Sequence, residues 1–200
     1  LVQVAGALQC SLTDLLADTD LGAVQHPRVA LVGLRGAGKS TLGRMLAADL
    51  GYPFIELGRE IEKLAGCRVD EVHALYGVNG YRRYERRALE QAVQRHAEAV
   101  IATPGGLVSD AASYRLLRAR CTTVWLQAQP EDHMQRVIAQ GDLRPIAASR
   151  EAMDDLNGIL ASREALYAKA DLKLDTSANT LAPTFKALRK LVRRTLELAA

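Results

Sequence analysis

The stretch Gly33–Ser40, GLRGAGKS, narrows the choice of folds more than any other feature of the chain. It satisfies G-x-x-x-x-G-K-[ST], lies directly after the apolar run RVALV, and leads directly into the helix-forming TLGRMLAADL. Glycines at this spacing let the backbone curl so that successive N–H groups point inward, and the start of the next helix adds a partial positive charge. Such a loop binds phosphate. The candidate phosphate-binding residues are Gly33, Gly36, Ala37, Gly38, Lys39, Ser40 and Thr41. Lys39 is placed to reach terminal phosphates, Ser40 to offer a hydroxyl to Mg²⁺, and Thr41 to offer a second hydroxyl near the α-phosphate.

A phosphate loop between a strand and a helix calls for βαβ units, and the rest of the sequence supplies them. Short β-rich apolar runs stand at 28–32 (RVALV), 53–57 (PFIEL), 99–104 (AVIATP), 122–127 (TTVWLQ) and 172–175 (LKLD). Each is nearly continuous in apolar residues, as strands covered on both faces are. Helical periodicity fills the intervals 39–50, 59–66, 69–76, 81–97, 110–119, 131–140 and 151–169, with a last helix at 183–198 carrying Pro183 in its first turn. Right-handed crossovers place these helices on both faces of a five-stranded parallel sheet, an α/β fold. The Lys and Arg residues of the last helix suit a solvated face and the negative end of the helix dipole.

Two hundred residues, 48% hydrophobic and 24% charged, bound this to one globular domain with a short appendage. A net charge of +3 suits a small anionic ligand better than an extended nucleic-acid surface. Cys10, Cys67 and Cys121 have neither disulfide-framework nor zinc-ligand spacing, and His26, His73, His96 and His133 are equally scattered. A reducing cytoplasm is the expected compartment. No apolar run approaches a membrane span and no leader pattern is present. The first residue is Leu, so a natural start is expected upstream.

Residues 1–18 break the βα rhythm and read as two short helices, the second capped by Ser11 with Asp14 three places on. Residues 19–27 read as a linker, and 28–200 as the phosphate-loop domain. The leading segment resembles the closing helices of a lambda-repressor-like (XRE family) helix-turn-helix domain.

Four further stretches follow the loop in order: GYRRYE (80–85), TPGG (103–106), LRP (143–145) and SREALYAKAD (162–171). Together with GLRGAGKSTLGRMLA and IEKLAG, they resemble the shikimate kinase family over about residues 28–180. The resemblance implies a P-loop NTPase fold, with ATP and Mg²⁺ bound at the loop. It implies that Arg82 and Arg163 grip a substrate carboxylate from opposite sides, beside the backbone N–H groups of Gly105 and Gly106. Arg144 is implied to sit on a lid over the nucleotide phosphates.

Two positions depart from that pattern. The family ends its second strand in an acidic-x-acidic motif, which supports Mg²⁺ and contacts the substrate hydroxyls. Here those positions are Glu56 and Gly58, leaving Ser40 and Glu56 as metal-side residues and no base. Pro104 replaces the first member of a triple glycine and removes an N–H donor. Losing a positioned base costs about 10²- to 10⁴-fold in rate. With the helix-turn-helix-like leader, the chain also resembles the effector domain of benzoyl-CoA-responsive XRE-family transcriptional regulators (BzdR and BoxR type). That likeness implies benzoyl-CoA as effector, seated near Gly58, Arg82, Pro104, Gly105, Gly106 and Arg163. It further implies DNA contact through an upstream helix-turn-helix domain, and a homodimer. The leading expectation is therefore a repressor's sensor domain, and the alternative an active small-molecule kinase that phosphorylates a hydroxyl.

Overall fold

The computed structural model describes residues 26–139, 150–177 and 180–198. Five parallel strands, β1 (Arg28–Val32), β2 (Phe54–Glu56), β3 (Ala99–Ala102), β4 (Thr122–Gln127) and β5 (Leu172–Asp175), form one sheet in the order β2-β3-β1-β4-β5. The helices are α1 (Lys39–Leu50), α2 (Leu57–Ala65), α3 (Val69–Arg95), α4 (Ala111–Arg120), α5 (Pro130–Ala139), α6 (Arg150–Tyr167) and α7 (Leu181–Thr195). A single 3-10 turn, Leu107–Ser109, follows β3.

Alternation along the strands divides the core into two layers, because successive side chains point to opposite faces. Val29 and Leu31 of β1, Val100 of β3, and Val124 and Leu126 of β4 pack with Leu42 and Leu46 of α1 and with Leu188 and Val192 of α7. Ala30, Val32, Ile101 and Trp125 face the other way, toward Tyr81 and Leu89 of α3, Leu117 of α4 and Tyr167 of α6. Each fully buried leucine contributes about 1.5–3 kcal/mol. Asp49 pins α7 to α1 through Arg189 at 2.8 Å and Arg193 at 2.9 Å.

The expected strands and helices are present, with shifts at several ends. β2 stops at Glu56 because Leu57 opens α2, and β3 stops at Ala102, two residues short of its expected end. The span α3 comprises the two helices expected at 69–76 and 81–97, which meet at Gly77, where the backbone leaves helical geometry at φ 63° and ψ −174°. No Cβ contact constrains Gly77, and Leu75 and Val78 beside it are exposed. The kink therefore bends the chain in solvent without breaking the helix pair apart. Among the described residues no helix is long and apolar enough to cross a membrane. The expected helical pair at 1–18 lies outside the described residues, as does most of the expected linker at 19–27.

Candidate active site

The central strand β1 delivers the chain to the C-terminal edge of the sheet, and the backbone must turn sharply there to enter α1. Gly33 makes the first turn at φ 142°. A Cβ at this position would stand 2.5 Å from the carbonyl oxygen of Leu126 on β4, so only glycine fits. Gly36 and Gly38 continue the curl at φ 77° and 87°. The methyl group of Ala37 is buried in the core, while its N–H donates to the Leu34 carbonyl at 3.2 Å. Gly38 caps α1 without a side-chain partner. The first-turn N–H groups at Lys39, Ser40 and Thr41 therefore lack a helical acceptor, and all three residues line the cleft.

Lys39 is buried at 8% exposure, and its Nζ donates to the carbonyls of Gly33 at 2.8 Å and Leu34 at 2.6 Å. Burial pulls its pKa down to about 8; the nearby Glu56 carboxylate opposes that shift and Arg35 adds to it. The Ser40 hydroxyl donates to Glu56 Oε1, and Arg44 donates to Glu56 Oε2 at 3.0 Å. A hydroxyl beside a carboxylate is a donor set for a hard divalent cation that keeps most of its other ligands as water or phosphate. No group of three or more His, Cys, Asp or Glu side chains suited to a metal occurs among the described residues.

Across the cleft, α3 and α6 supply the cations. A Cβ at Gly106 would stand 3.4 Å from Arg82 Nη2 and 4.0 Å from Arg163 Nη2, so both guanidinium groups converge on this glycine. Arg82 Nη1 donates to Glu85 Oε2 at 2.5 Å, and Tyr81 Oη donates to Glu85 Oε1 at 3.2 Å. Glu85 has no exposed surface, and burial raises its pKa against the pull of Arg82 and Tyr81. Tyr167 Oη donates to the Gly105 carbonyl at 2.6 Å, and Arg163 Nη1 lies 3.5 Å from the same oxygen.

Gly105 joins the two halves. A Cβ there would lie 3.3 Å from both the Gly33 carbonyl oxygen and the Arg35 nitrogen, so the loop after β3 rests directly on the phosphate loop. Thr103 fixes its start by donating Oγ1 to the Leu31 carbonyl at 2.9 Å. The cleft between the halves holds about 360 Å³, enough for small ligands.

Of the residues expected from sequence, Gly36, Gly38, Lys39, Ser40, Thr41, Glu56, Gly58, Pro104 and Gly105 line this cleft. Gly33 and Ala37 stand behind it as loop structure, and Arg82 and Arg163 meet at Gly106, next in the chain to the lining residue Gly105. Arg144 lies outside the described residues. Sequence reasoning assigned no role to Glu85, Tyr81, Tyr167, Arg44 or His133. Glu85 stands three residues after Arg82 and Tyr167 four after Arg163, spacings that share a helix face and were legible in principle. His133 is a buried histidine whose Nδ1 donates to the Arg35 carbonyl at 3.1 Å, and burial lowers its pKa. Only the fold brings it there.

A glycine-curled loop at the end of a central parallel strand, with a buried lysine and a hydroxyl–carboxylate pair behind it, defines the P-loop nucleotide-binding class. Within that class the family profile described as shikimate kinase matches residues 35–197. The chain belongs to the shikimate kinase family. It is 38% identical over 151 residues to a shikimate kinase of Synechococcus sp. (strain RCC307), covering 76% of each chain. It is 36% identical over 169 residues to that of Moorella thermoacetica, covering 84% of this chain and 96% of the relative. The shikimate kinase from Acinetobacter baumannii, solved in complex with shikimate, superposes with a TM-score of 0.74 at 30% identity over 88% of this chain and 95% of that one.

These relatives overturn the expectation of a transcriptional regulator. Proteins similar over three quarters or more of the chain are named shikimate kinase, and a solved shikimate kinase shares its fold. The benzoyl-CoA effector, the helix-turn-helix partner, the DNA contact and the regulator's dimer were drawn from one likeness and fall with it. A missing carboxylate at Gly58 and an 18-residue leader are short features beside the family match over residues 35–197. Family membership implies ATP and Mg²⁺.

Proposed function

We propose that the chain transfers the terminal phosphoryl group of ATP to a hydroxyl of a small ring carboxylate, the reaction class of shikimate kinases. The observation that carries this reading is the contact of Gly105 with the phosphate loop. It joins a cleft lined by a buried lysine and a hydroxyl–carboxylate pair to two arginines that converge on the next residue, Gly106.

The loop N–H groups and Lys39 hold the triphosphate, and Ser40 with Glu56 holds Mg²⁺, which when bound neutralises charge on the phosphate oxygens. Arg82 and Arg163 fix the acceptor carboxylate, so that the acceptor hydroxyl is presented to the phosphate end of the cleft. Glu85 keeps Arg82 oriented, and Tyr167 keeps the Gly105 turn in place. Phosphoryl transfer has a loose transition state and depends chiefly on positioning and electrostatics, so a cleft without a carboxylate at Gly58 remains competent though slow. The absence of a positioned base lowers turnover by about 10²- to 10⁴-fold relative to a site that has one.

A coupled assay of ADP release with Mg-ATP and a panel of ring hydroxycarboxylates, shikimate included, tests this. Acceptor-dependent release that disappears in Lys39→Ala is the expected result. Nucleotide binding without acceptor-dependent release would refute it.

A further inference from the structure

We infer that the acceptor is a ring carboxylate less hydroxylated than shikimate, seated with its apolar edge against Gly58, Val69 and Tyr81. This deepens the phosphotransfer reading and rests on it for catalysis, but ligand selectivity can be measured without turnover.

Gly58 sits in the first turn of α2 and lines the same cleft as the phosphate loop. A Cβ built there meets nothing within 4 Å, so the wall recedes at this point. Its neighbours in the lining are apolar or have their hydroxyl protons engaged elsewhere. Val69, Ala102 and Pro104 offer no side-chain polar atom, and Pro104 has no N–H. Tyr81 stacks on His73 with ring centroids 4.2 Å apart, and its hydroxyl is committed to Glu85. Thr103 Oγ1 is committed to the Leu31 carbonyl.

Glu56 is the one carboxylate among the described lining residues, and it is held by Ser40 on one oxygen and Arg44 on the other, toward the phosphate loop. A ligand hydroxyl directed at Gly58 therefore meets no carboxylate at that position. Leaving such a hydroxyl unpaired costs on the order of 10- to 100-fold in affinity. At the other end, Arg82 and Arg163 converge on Gly106 and supply a strong site for one carboxylate. A charged head and an apolar flank describe a ring acid with its substituents pared down, keeping the one hydroxyl that is phosphorylated.

The test is titration calorimetry of the full chain with shikimate and with 3-hydroxycyclohex-1-ene-1-carboxylate, which keeps the ring, the carboxylate and a single hydroxyl. The less hydroxylated acid is expected to bind at least about tenfold tighter. Gly58→Asp should narrow or reverse that preference, while Gly58→Asn, of the same size without the charge, separates volume from charge. Equal or tighter binding of shikimate by the unaltered protein overturns the inference, as does binding of neither acid. The ADP-release assay keeps the two claims apart. Turnover that favours shikimate sinks the inference and leaves the kinase reading standing, whereas selective binding with no ADP release from either acid does the opposite.

Discussion

Arg82 and Glu85 form a 2.5 Å ion pair on one face of α3, with the carboxylate fully buried and the guanidinium 21% exposed at the cleft. The pair ties the charge proposed to bind the acceptor carboxylate to a buried group on the core side of α3. Removing one partner has consequences for both binding and stability.

Arg82→Ala strands a buried carboxylate, and breaking such a pair costs about 3–5 kcal/mol. Burial already raises the pKa of Glu85, and without Arg82 it rises further. A carboxyl whose folded pKa lies above its unfolded one favours the fold below that unfolded value and loses its contribution as pH rises through the folded pKa. Urea unfolding of the variant should therefore show a stability deficit that shrinks on acidification toward the ordinary carboxylate range. A deficit independent of pH would contradict this.

Lys39 sets the pH dependence of nucleotide binding. Burial holds its pKa near 8 in the free protein, and phosphate oxygens favour the charged form, so binding raises it. Below 8 the group is charged in both states and affinity is flat. Above 8 the free protein has lost the proton and must regain it, so affinity falls by up to about tenfold per pH unit. Calorimetry in buffers of different ionisation enthalpy should show proton uptake on the alkaline side of 8, an uptake that Lys39→Met abolishes.

Two glycines of the cleft should respond oppositely to a methyl group. Gly33→Ala drives a Cβ to 2.5 Å from the Leu126 carbonyl at a φ of 142°, and a loss of a few kcal/mol follows from clash and backbone strain together. Gly58→Ala meets nothing within 4 Å in the first turn of a helix, and should stabilise by about 0.5–1 kcal/mol. Thermal unfolding of both variants measures the contrast.

Tyr167→Phe removes the hydrogen bond to Gly105 and leaves its carbonyl only the 3.5 Å approach of Arg163. The stability loss should be about 1 kcal/mol. Because Gly105 belongs to the acceptor loop, KM for the acceptor should rise while KM for ATP changes little. An equal rise in both would place the hydroxyl's effect on the phosphate loop instead.

The strands were legible because burial on both faces leaves an apolar run that few other elements imitate; β4, TTVWLQ, matches its expected span at both ends. The end of β2 was less legible, since Leu57 continues its apolar run but opens α2. The Gly77 kink was readable as a break but not as a bend, because only packing of Tyr81 and Leu89 against the sheet holds the second half of α3 in place. The regulator expectation failed for a different reason. It rested on Gly58, Pro104 and the leading segment, a few residues beside a family match over residues 35–197.

The sequence by itself determined the phosphate loop and the parallel α/β fold that displays it. Left-handed glycines, a lysine and a hydroxyl in fixed register are short-range requirements, satisfied or violated within a few residues. Tertiary structure decided the acceptor half of the site. Arg82 and Arg163, 81 positions apart in the chain, meet at Gly106 only because α3 and α6 pack on the same face of the sheet. Gly105 touches Gly33 only because β3 lies beside β1. Such encounters depend on the packing of the whole core.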